Sequence, residues 1–147
     1  MMVRHVEPGD ARRIFDIRNH PQSRVFFHHQ EPLVWEDHLA WFGRQYFDNK
    51  GHVCLVAETD GAVNGYCRLD ARADGGWLLS VAVDPEMRGR GIGSALVREA
   101  LIQVPSGDKV YAEVLTSNPA SRSLMEKMGF QLERETETVV HFSYTKV

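Results

Sequence analysis

Three glycines and two arginines lie together where an apolar segment meets the start of a predicted helix. This turn is Arg88-Gly-Arg-Gly-Ile-Gly93, and an amphipathic stretch begins directly after it. The first backbone N–H groups of a helix have no partner within the helix, and they carry the positive end of the helix dipole. Glycine lets an anion approach the main chain without a clash with Cβ. The spacing therefore predicts a site for a phosphate or diphosphate group.

Two common phosphate-binding motifs do not fit this turn. The glycines do not follow the G-x-G-x-x-G spacing of dinucleotide-binding folds. No G-K-[ST] triplet is present, which argues against a nucleotide triphosphatase loop. A glycine-rich turn from strand to helix without any ligand stays open as an alternative.

The turn resembles the R-x-x-G-x-G acetyl-CoA motif of the GNAT superfamily of N-acetyltransferases, with Arg88, Gly91 and Gly93 at the motif positions. Downstream, the segment from Asn118 to Phe130 resembles the N-x-x-[AS]-x-x-x-[YL]-x-K-x-G-F element of the same family, with a methionine at the [YL] position. Taken alone, this second segment also fits an amphipathic helix with an asparagine N-cap and a glycine stop. The resemblance covers residues 52–147 well and the first fifty only loosely.

The resemblance implies that acetyl-CoA is the cofactor. In the family, the strand before the glycine turn carries a bulge and splays from the next strand, and the pantetheine arm pairs with the exposed main chain. A backbone N–H near Val81 would polarise the thioester carbonyl. The implied cofactor-binding residues are Leu79, Val81, Ala82 and Val83 for the arm, Arg88, Gly89, Arg90, Gly91, Ile92, Gly93 and Ser94 for the diphosphate, and Asn118, Ser121 and Lys127 alongside.

Direct attack by a neutral amine, the transfer that the resemblance implies, needs one proton removed from the amine and one delivered to the leaving thiolate. Met125 occupies the position where many relatives have a tyrosine acid, and a thioether cannot donate a proton. Glu113 is the first candidate for the base, although a solvated strand carboxylate is the alternative. Ser80 and Asp70 are weaker candidates, the former as a hydroxyl that holds a water.

The resemblance implies that the first two helices and the loop between them select the acceptor amine, as is usual in the family. The pattern R-N … E-x-H-x-x-W-F, from Arg18 to Phe42, resembles a subgroup that acetylates amino groups on nucleotide-linked deoxysugars. Aromatic rings could stack on a base or sugar, and Arg18, Arg24 or Arg44 could meet a diphosphate. The alternative is that these aromatic residues are core and that the histidine packs or caps. The predicted substrate-binding residues are Arg18, Phe27, His28 and Trp41.

Other functions stay open at this point. A peptide N-terminal or lysine acetyltransferase should show an open groove with acidic side chains, whereas a sugar acceptor predicts an enclosed, aromatic-lined pocket. A non-catalytic acyl-CoA-binding regulator should bind the coenzyme without releasing thiol.

The elements that position these residues follow from periodicity. Early helices, an antiparallel hairpin and then strand–helix–strand–helix indicate an α+β (mixed α/β) class, with a mixed sheet and helices on both faces. The resemblance adds a GNAT-like, mostly antiparallel twisted sheet of six to seven strands with a splayed parallel pair at its centre. The predicted strands are 3–6, 52–58, 62–70, 77–83, 109–115, 130–134 and 138–145, and the clearest predicted helices are 35–47 and 118–128.

Asp10 is the predicted N-cap of the first helix. The Thr59-Asp60-Gly61 segment predicts a hairpin. A two- or four-residue loop would place Cys54 directly opposite Cys67, and a three-residue bulged loop would make them diagonal neighbours. In either register they are expected to be reduced thiols.

Composition narrows the function classes. The 147 residues fit one domain, with 43% hydrophobic residues, 25% charged residues and a net charge of -3, which argues against a nucleic-acid binder. No apolar run could span a bilayer, and the N-terminus turns charged too early for a signal peptide, so we expect a cytoplasmic protein. The scattered histidines and absence of CxxC argue against a metal site. The expected partner is a small-molecule amine, with the chain as a monomer or homodimer.

Overall fold

The computed structural model describes residues 1–26, 30–48 and 50–147. Seven strands form one sheet in the order β1-β2-β3-β4-β5-β7-β6. The strands are β1 (Met2–His5), β2 (Val53–Thr59), β3 (Ala62–Ala71), β4 (Trp77–Val83), β5 (Lys109–Leu115), β6 (Gln131–Glu135) and β7 (Val139–Thr145). The helices are α1 (Ala11–Asn19), α2 (Pro21–Arg24), α3 (Trp35–Phe47), α4 (Ile92–Gln103) and α5 (Pro119–Lys127).

The central pair, β4 and β5, is parallel, and the other neighbouring strands pair antiparallel. A parallel pair requires a crossover connection, which α4 supplies. The predicted fold class, a mixed and mostly antiparallel sheet with a central parallel pair, is confirmed.

Two apolar clusters cover the two faces of the sheet. On one face, Leu96 of α4 and Met125 of α5 pack against the sheet. On the other face, Ile14 of α1 and Phe42 of α3 pack against it. Alternation of side chains along each strand therefore decides which helices a strand residue meets.

The β2–β3 hairpin corrects the predicted position of the two cysteines. Its loop has two residues, since Thr59 pairs with Ala62, but Asn64 is an extra residue that shifts the register. Consequently Cys67 pairs with Leu55 rather than with Cys54. The thiols belong to the clusters on opposite faces of the sheet, and both are free and buried.

The connection between α1 and α3 is more ordered at its start than the sequence indicates. Residues 22–34 show no clear period, yet α2 begins at Pro21, two residues after the end of α1.

Asp10 is the N-cap of α1, but its carboxylate accepts hydrogen bonds from the Glu7 amide and from Arg4 rather than from the first turn of the helix. Among the described residues, the helices are too short or too polar to cross a membrane.

Candidate active site

A cleft opens where the parallel strands separate. β4 and β5 pair at Trp77 with Val110 and at Leu78 with Tyr111, and within these fully described strands the pairing ends there. Beyond that point the strands enclose one side of a cavity of about 930 Å³, which continues past the start of α4. The predicted splay of the central pair is confirmed.

The main chain of β4 faces this cleft. The Asp84 amide donates to the Asn64 carbonyl at 2.7 Å, so it points towards β3. Main-chain groups alternate in direction along an antiparallel strand, and the β3–β4 register is constant from Trp77 to Val83. The amides of Val81 and Val83 therefore point away from β3 and into the cleft. The constant register also shows that the bulge expected in this strand is wrong for the β3–β4 pairing.

The glycine-rich turn closes one end of the cleft. Gly89 and Gly91 both have left-handed backbone angles, with φ of 79° and 78°. Gly91 is the N-cap of α4, and the first intrahelical bond runs from the Ala95 amide to its carbonyl. The amides of residues 92–94 thus lie before the first helical bond and are available to an anion. A Cβ built on Gly91 would meet no atom within 4 Å, which leaves space for a ligand at that point.

The start of α5 forms a neighbouring part of the wall. The Asn118 side chain accepts a hydrogen bond from the Ser121 amide, so it caps α5 as the simpler interpretation of this segment predicts. Lys127 Nζ lies 3.4 Å from Ser94 Oγ in the first turn of α4. This contact brings the second sequence motif against the first.

Most of the predicted cofactor residues line the cleft. Arg90 and Lys127 do not, although both are described and Arg90 is exposed. The predicted residues that do line it are Leu79, Val81, Ala82, Val83, Arg88, Gly89, Gly91, Ile92, Gly93, Ser94, Asn118 and Ser121.

Two of the three candidate catalytic side chains, Glu113 and Ser80, line the cleft on the α1 and α3 side of the sheet, and Asp70 does not line it. Ala112 and Val114 belong to the core on the α4 and α5 side, so Glu113 between them points the other way. Ser80 alternates with buried Leu79 and reaches the same side as Glu113. The strand directions therefore bring these two residues to one side of the opening.

Met125 and the two cysteines are deeply buried. Met125 is 1% exposed and lines the cleft as an apolar wall. Burial raises the pKa of Cys54 to about 12 and also raises the pKa of Cys67. Neither thiol is a nucleophile at neutral pH, because the thiolate is the reactive form.

Arginines and aromatic rings form the other end of the cleft. The Arg18 guanidinium lies 4.4 Å and the Arg68 guanidinium 5.1 Å from the centre of the Trp41 ring. Arg18, Arg68 and Tyr66 line the cleft, and Trp41 packs behind the two arginines. Arg24 and Arg44 do not line it, which corrects their suggested role. The predicted residues Phe27 and His28 lie outside the described residues.

His38 is a core residue that holds Arg18. Its Nε2 lies 2.9 Å from the Ala11 carbonyl and its Nδ1 lies 3.0 Å from Arg18 Nη1. Because a carbonyl can only accept, Nε2 carries the proton and Nδ1 accepts from the arginine. Burial lowers the pKa of His38 to about 4, so the ring is neutral at pH 7. The interpretation of this histidine as a packing residue is confirmed.

Arg68 is the main site residue that the sequence interpretation missed. It lies on β3 between Cys67 and Leu69, which are both buried. A charged residue within an otherwise buried strand indicates a functional site. Its Nη2 lies 3.4 Å from Ser80 Oγ on the neighbouring strand.

A mixed sheet that opens at a central parallel pair, with a glycine turn at the following helix, defines the N-acetyltransferase class of fold. Residues 12–130 match the model of the acetyltransferase (GNAT) family. The chain belongs to this family.

Three similar proteins show how far the likeness extends. The L-amino acid N-acetyltransferase of Escherichia coli (strain K12) is 28% identical over 149 residues, which cover 90% of this chain and 84% of that protein. A mycothiol acetyltransferase of Nocardia farcinica is 40% identical over 82 residues, or 55% of this chain, and the match spans only 26% of that longer protein. A phosphinothricin acetyltransferase of Sinorhizobium meliloti, solved in complex with acetyl-CoA, superposes with a TM-score of 0.86 at 23% identity and covers 99% of this chain and 88% of that one.

Proposed function

We propose that this protein transfers the acetyl group of acetyl-CoA directly to the primary amine of a small molecule. The observation that carries the proposal is the continuous cleft, with a glycine turn for a diphosphate at one end and an arginine–aromatic pocket at the other. The two ends meet at the exposed main chain of β4, where an acetyl group and an amine would come together.

The cleft offers groups that fit the diphosphate, the pantetheine arm and the thioester carbonyl of acetyl-CoA. Amides of residues 92–94 and the Arg88 side chain would hold the diphosphate. The Val81 and Val83 amides would hold the pantetheine arm and orient the thioester carbonyl. When bound, acetyl-CoA supplies an acetyl group that is activated as a thioester. The open space above Gly91 is the feature that a side chain at this position would fill.

Proton transfer is assigned to Glu113 and Ser80. Glu113 would accept the proton of the attacking amine, directly or through one water that Ser80 helps to hold. Met125 lines the cleft with an apolar surface and moves no proton. Because both cysteine thiols are buried and protonated, the chain offers no thiolate to form an acyl-enzyme, which supports direct transfer.

The charge of the pocket separates the acceptor classes. Arg18 and Arg68 favour an acceptor that carries a negative group beside its amine, and they disfavour polyamines and lysine side chains. Two small-molecule classes meet this condition: the amino-deoxysugar nucleotides suggested by the pattern from Arg18 to Phe42, and free amino acids. The likeness to an L-amino acid N-acetyltransferase over 90% of this chain supports a small acceptor.

A thiol-release assay tests this function. The purified chain is incubated with acetyl-CoA and panels of amino acids, amino-sugar nucleotides, peptides and polyamines, and free coenzyme A is measured over time. We expect release above the hydrolysis rate with at least one anionic small amine, and acetylated product by mass spectrometry. Tight acetyl-CoA binding by calorimetry without release on any amine would instead establish a non-catalytic acyl-CoA-binding protein.

A further inference from the structure

Two arginines from distant parts of the chain share one aromatic ring in the acceptor end of the cleft. Arg18 comes from α1 and Arg68 from β3, and both stack on Trp41, at 4.4 Å and 5.1 Å. Like charges repel, so the fold brings them together at an energetic cost. Such a cost is offset when an anion binds between them.

The carboxylates around this pair leave one positive charge uncompensated. Asp70 lies 3.6 Å from Arg68 Nη2 and also accepts a hydrogen bond from Gln45 at 3.0 Å. Among the described residues, Arg18 has no carboxylate within salt-bridge distance, and its hydrogen-bond partner is the neutral ring of His38. Burial lowers the pKa of Arg18, and the positive charge of Arg68 lowers it further, whereas Asp70 acts in the opposite direction. Arg18, Arg68 and Asp70 together thus carry a net charge of about +1, and Glu113, the proposed base, lines the cleft on the same side of the sheet.

Arg68 also has unused hydrogen-bonding capacity. Its Nε atom is buried and has no hydrogen-bond partner in the described structure. A buried guanidinium N–H normally has a partner, and leaving it without one costs free energy. A planar anion with two oxygens matches the fork of donors that a guanidinium presents.

The position of Arg18 and Arg68 places a bound anion close to the reacting amine. Arg68 Nη2 lies 3.4 Å from Ser80 Oγ, and Ser80 precedes Val81, whose amide points into the cleft. An anion on these arginines would therefore lie beside Ser80, the residue that precedes the amide assigned to the thioester carbonyl. In a nucleotide-linked sugar with its amine at C4, the diphosphate on C1 and the amine lie on opposite sides of the sugar ring, and the diphosphate carries more than one negative charge.

From these contacts we infer that Arg18 and Arg68 bind the carboxylate of the acceptor, so that the acceptor is a small amino acid with its amine on the same carbon as the carboxylate or on the next one. This inference rests on the proposed function and narrows it to one substrate class. Trp41 contacts both guanidinium groups through its ring, and His38 is a positioning residue that orients Arg18.

The first experiment compares free L-amino acids with their carboxamides in the thiol-release assay on the wild-type chain. The two members of each pair differ in the carboxylate. The carboxamide also has a lower amine pKa, so more of its amine is neutral, which by itself would make the carboxamide react faster. We expect kcat/KM to be at least about tenfold higher for the acids, as for the loss of one charge-assisted hydrogen bond. Equal or faster reaction of the amides overturns the inference.

Variants identify the residues responsible. Arg18→Gln and Arg68→Gln should each raise KM for the amino acid by about tenfold or more, leave KM for acetyl-CoA unchanged and abolish the preference for acid over amide. Arg44→Gln, an exposed arginine on α3 outside the cleft, is the matched control and should behave as wild type. Unchanged amino acid KM in both cleft variants contradicts the inference. If either variant fails to fold, as judged by thermal unfolding, the comparison of acids with amides on the wild-type chain still tests whether the acceptor carboxylate is bound.

The two proposals fail differently. Release with an amino-sugar nucleotide, a peptide or a polyamine, but with no free amino acid, overturns the carboxylate assignment and leaves the acetyltransferase function in place. Absence of release on every amine overturns both.

Discussion

The Arg88 guanidinium donates a 3.2 Å hydrogen bond to the Gln22 carbonyl, which links the glycine-rich turn to α2. The same guanidinium lies 5.8 Å from the centre of the Phe26 ring. One side chain thus touches the segment that leads into the acceptor end of the cleft and also belongs to the proposed diphosphate site. Binding at the two ends should therefore be coupled through Arg88.

Replacing Arg88 tests this link. Arg88→Gln removes a charge from the diphosphate site and the donor to Gln22, so KM for acetyl-CoA should rise about tenfold. KM for the acceptor should rise as well, by about twofold, because the bond to α2 is lost. Arg98→Gln, an exposed α4 arginine outside the cleft, is the control and should change neither value. An acetyl-CoA KM that is equal in Arg88→Gln and wild type would remove Arg88 from the site.

Gly91 should be required both for the turn and for the cofactor. Gly91→Ala forces a left-handed residue to carry Cβ, which should lower the free energy of unfolding by about 1 kcal/mol. The new methyl group also occupies the space left for the diphosphate, so affinity for acetyl-CoA by calorimetry should fall.

Gly107 provides the matched control for this prediction. It too is left-handed, with φ of 90° and no atom within 4 Å of a built Cβ, but it does not line the cleft. Gly107→Ala should cost similar stability and leave acetyl-CoA affinity unchanged. If the two variants bind acetyl-CoA equally well, the glycine turn is a structural feature without a role in the cofactor site.

Local signals in the sequence were enough to predict most of the fold. Apolar patterns placed all seven strands to within one residue of their observed bounds, although every residue of β6 is exposed. The glycine turn was recognisable because left-handed backbone at Gly89 and Gly91 and a helix start after an apolar strand are all local properties. The residues of this turn line one end of the cleft.

The acceptor end could not be predicted in this way. Arg18 and Arg68 are far apart in sequence and meet only when α1 packs on β3. The register of β3 against β2 depends on one bulged residue, Asn64, and a shift by one residue reverses which face a side chain meets. A sequence pattern does not show such a bulge, which is why the sequence leaves open whether Cys54 and Cys67 are directly opposite or diagonal neighbours; the bulge makes them diagonal neighbours, offset by one residue.

Glu113 should control the chemical step. Glu113→Gln keeps the size of the side chain and removes the base, so kcat should fall by about 100-fold or more, with KM for acetyl-CoA little changed. A loss in kcat with an unchanged KM for acetyl-CoA and unchanged thermal unfolding separates this role from a structural one. Glu99→Gln on the exposed face of α4 is the control. A kcat within twofold of wild type would assign the base to another group.

Met125 should matter for packing and not for proton transfer. Met125→Leu preserves volume and apolar character, so kcat should stay within about twofold of wild type. Met125→Ala creates a cavity in the core under α5 and should lower the free energy of unfolding by about 2 to 5 kcal/mol, as measured by urea denaturation. Loss of activity in a stably folded Met125→Leu variant would show that the thioether itself takes part in the reaction.

His38 should make the stability of the protein depend on pH between about 6.5 and about 4. Burial lowers its pKa to about 4 in the folded chain, from 6.5 for an unperturbed histidine. Between these values the unfolded chain binds a proton at this ring and the folded chain does not, so the free energy of unfolding falls as the pH falls. His38 should contribute about 2 kcal/mol to the stability lost between pH 7.5 and pH 5.

Urea unfolding of wild type and His38→Gln across this pH range measures this contribution. The variant should be less stable at pH 7.5, but its free energy of unfolding should fall less steeply as the pH is lowered. Parallel slopes would mean that the His38 ring is protonated in the folded chain as readily as in the unfolded one, and that Arg18 cannot donate to its Nδ1 over this range.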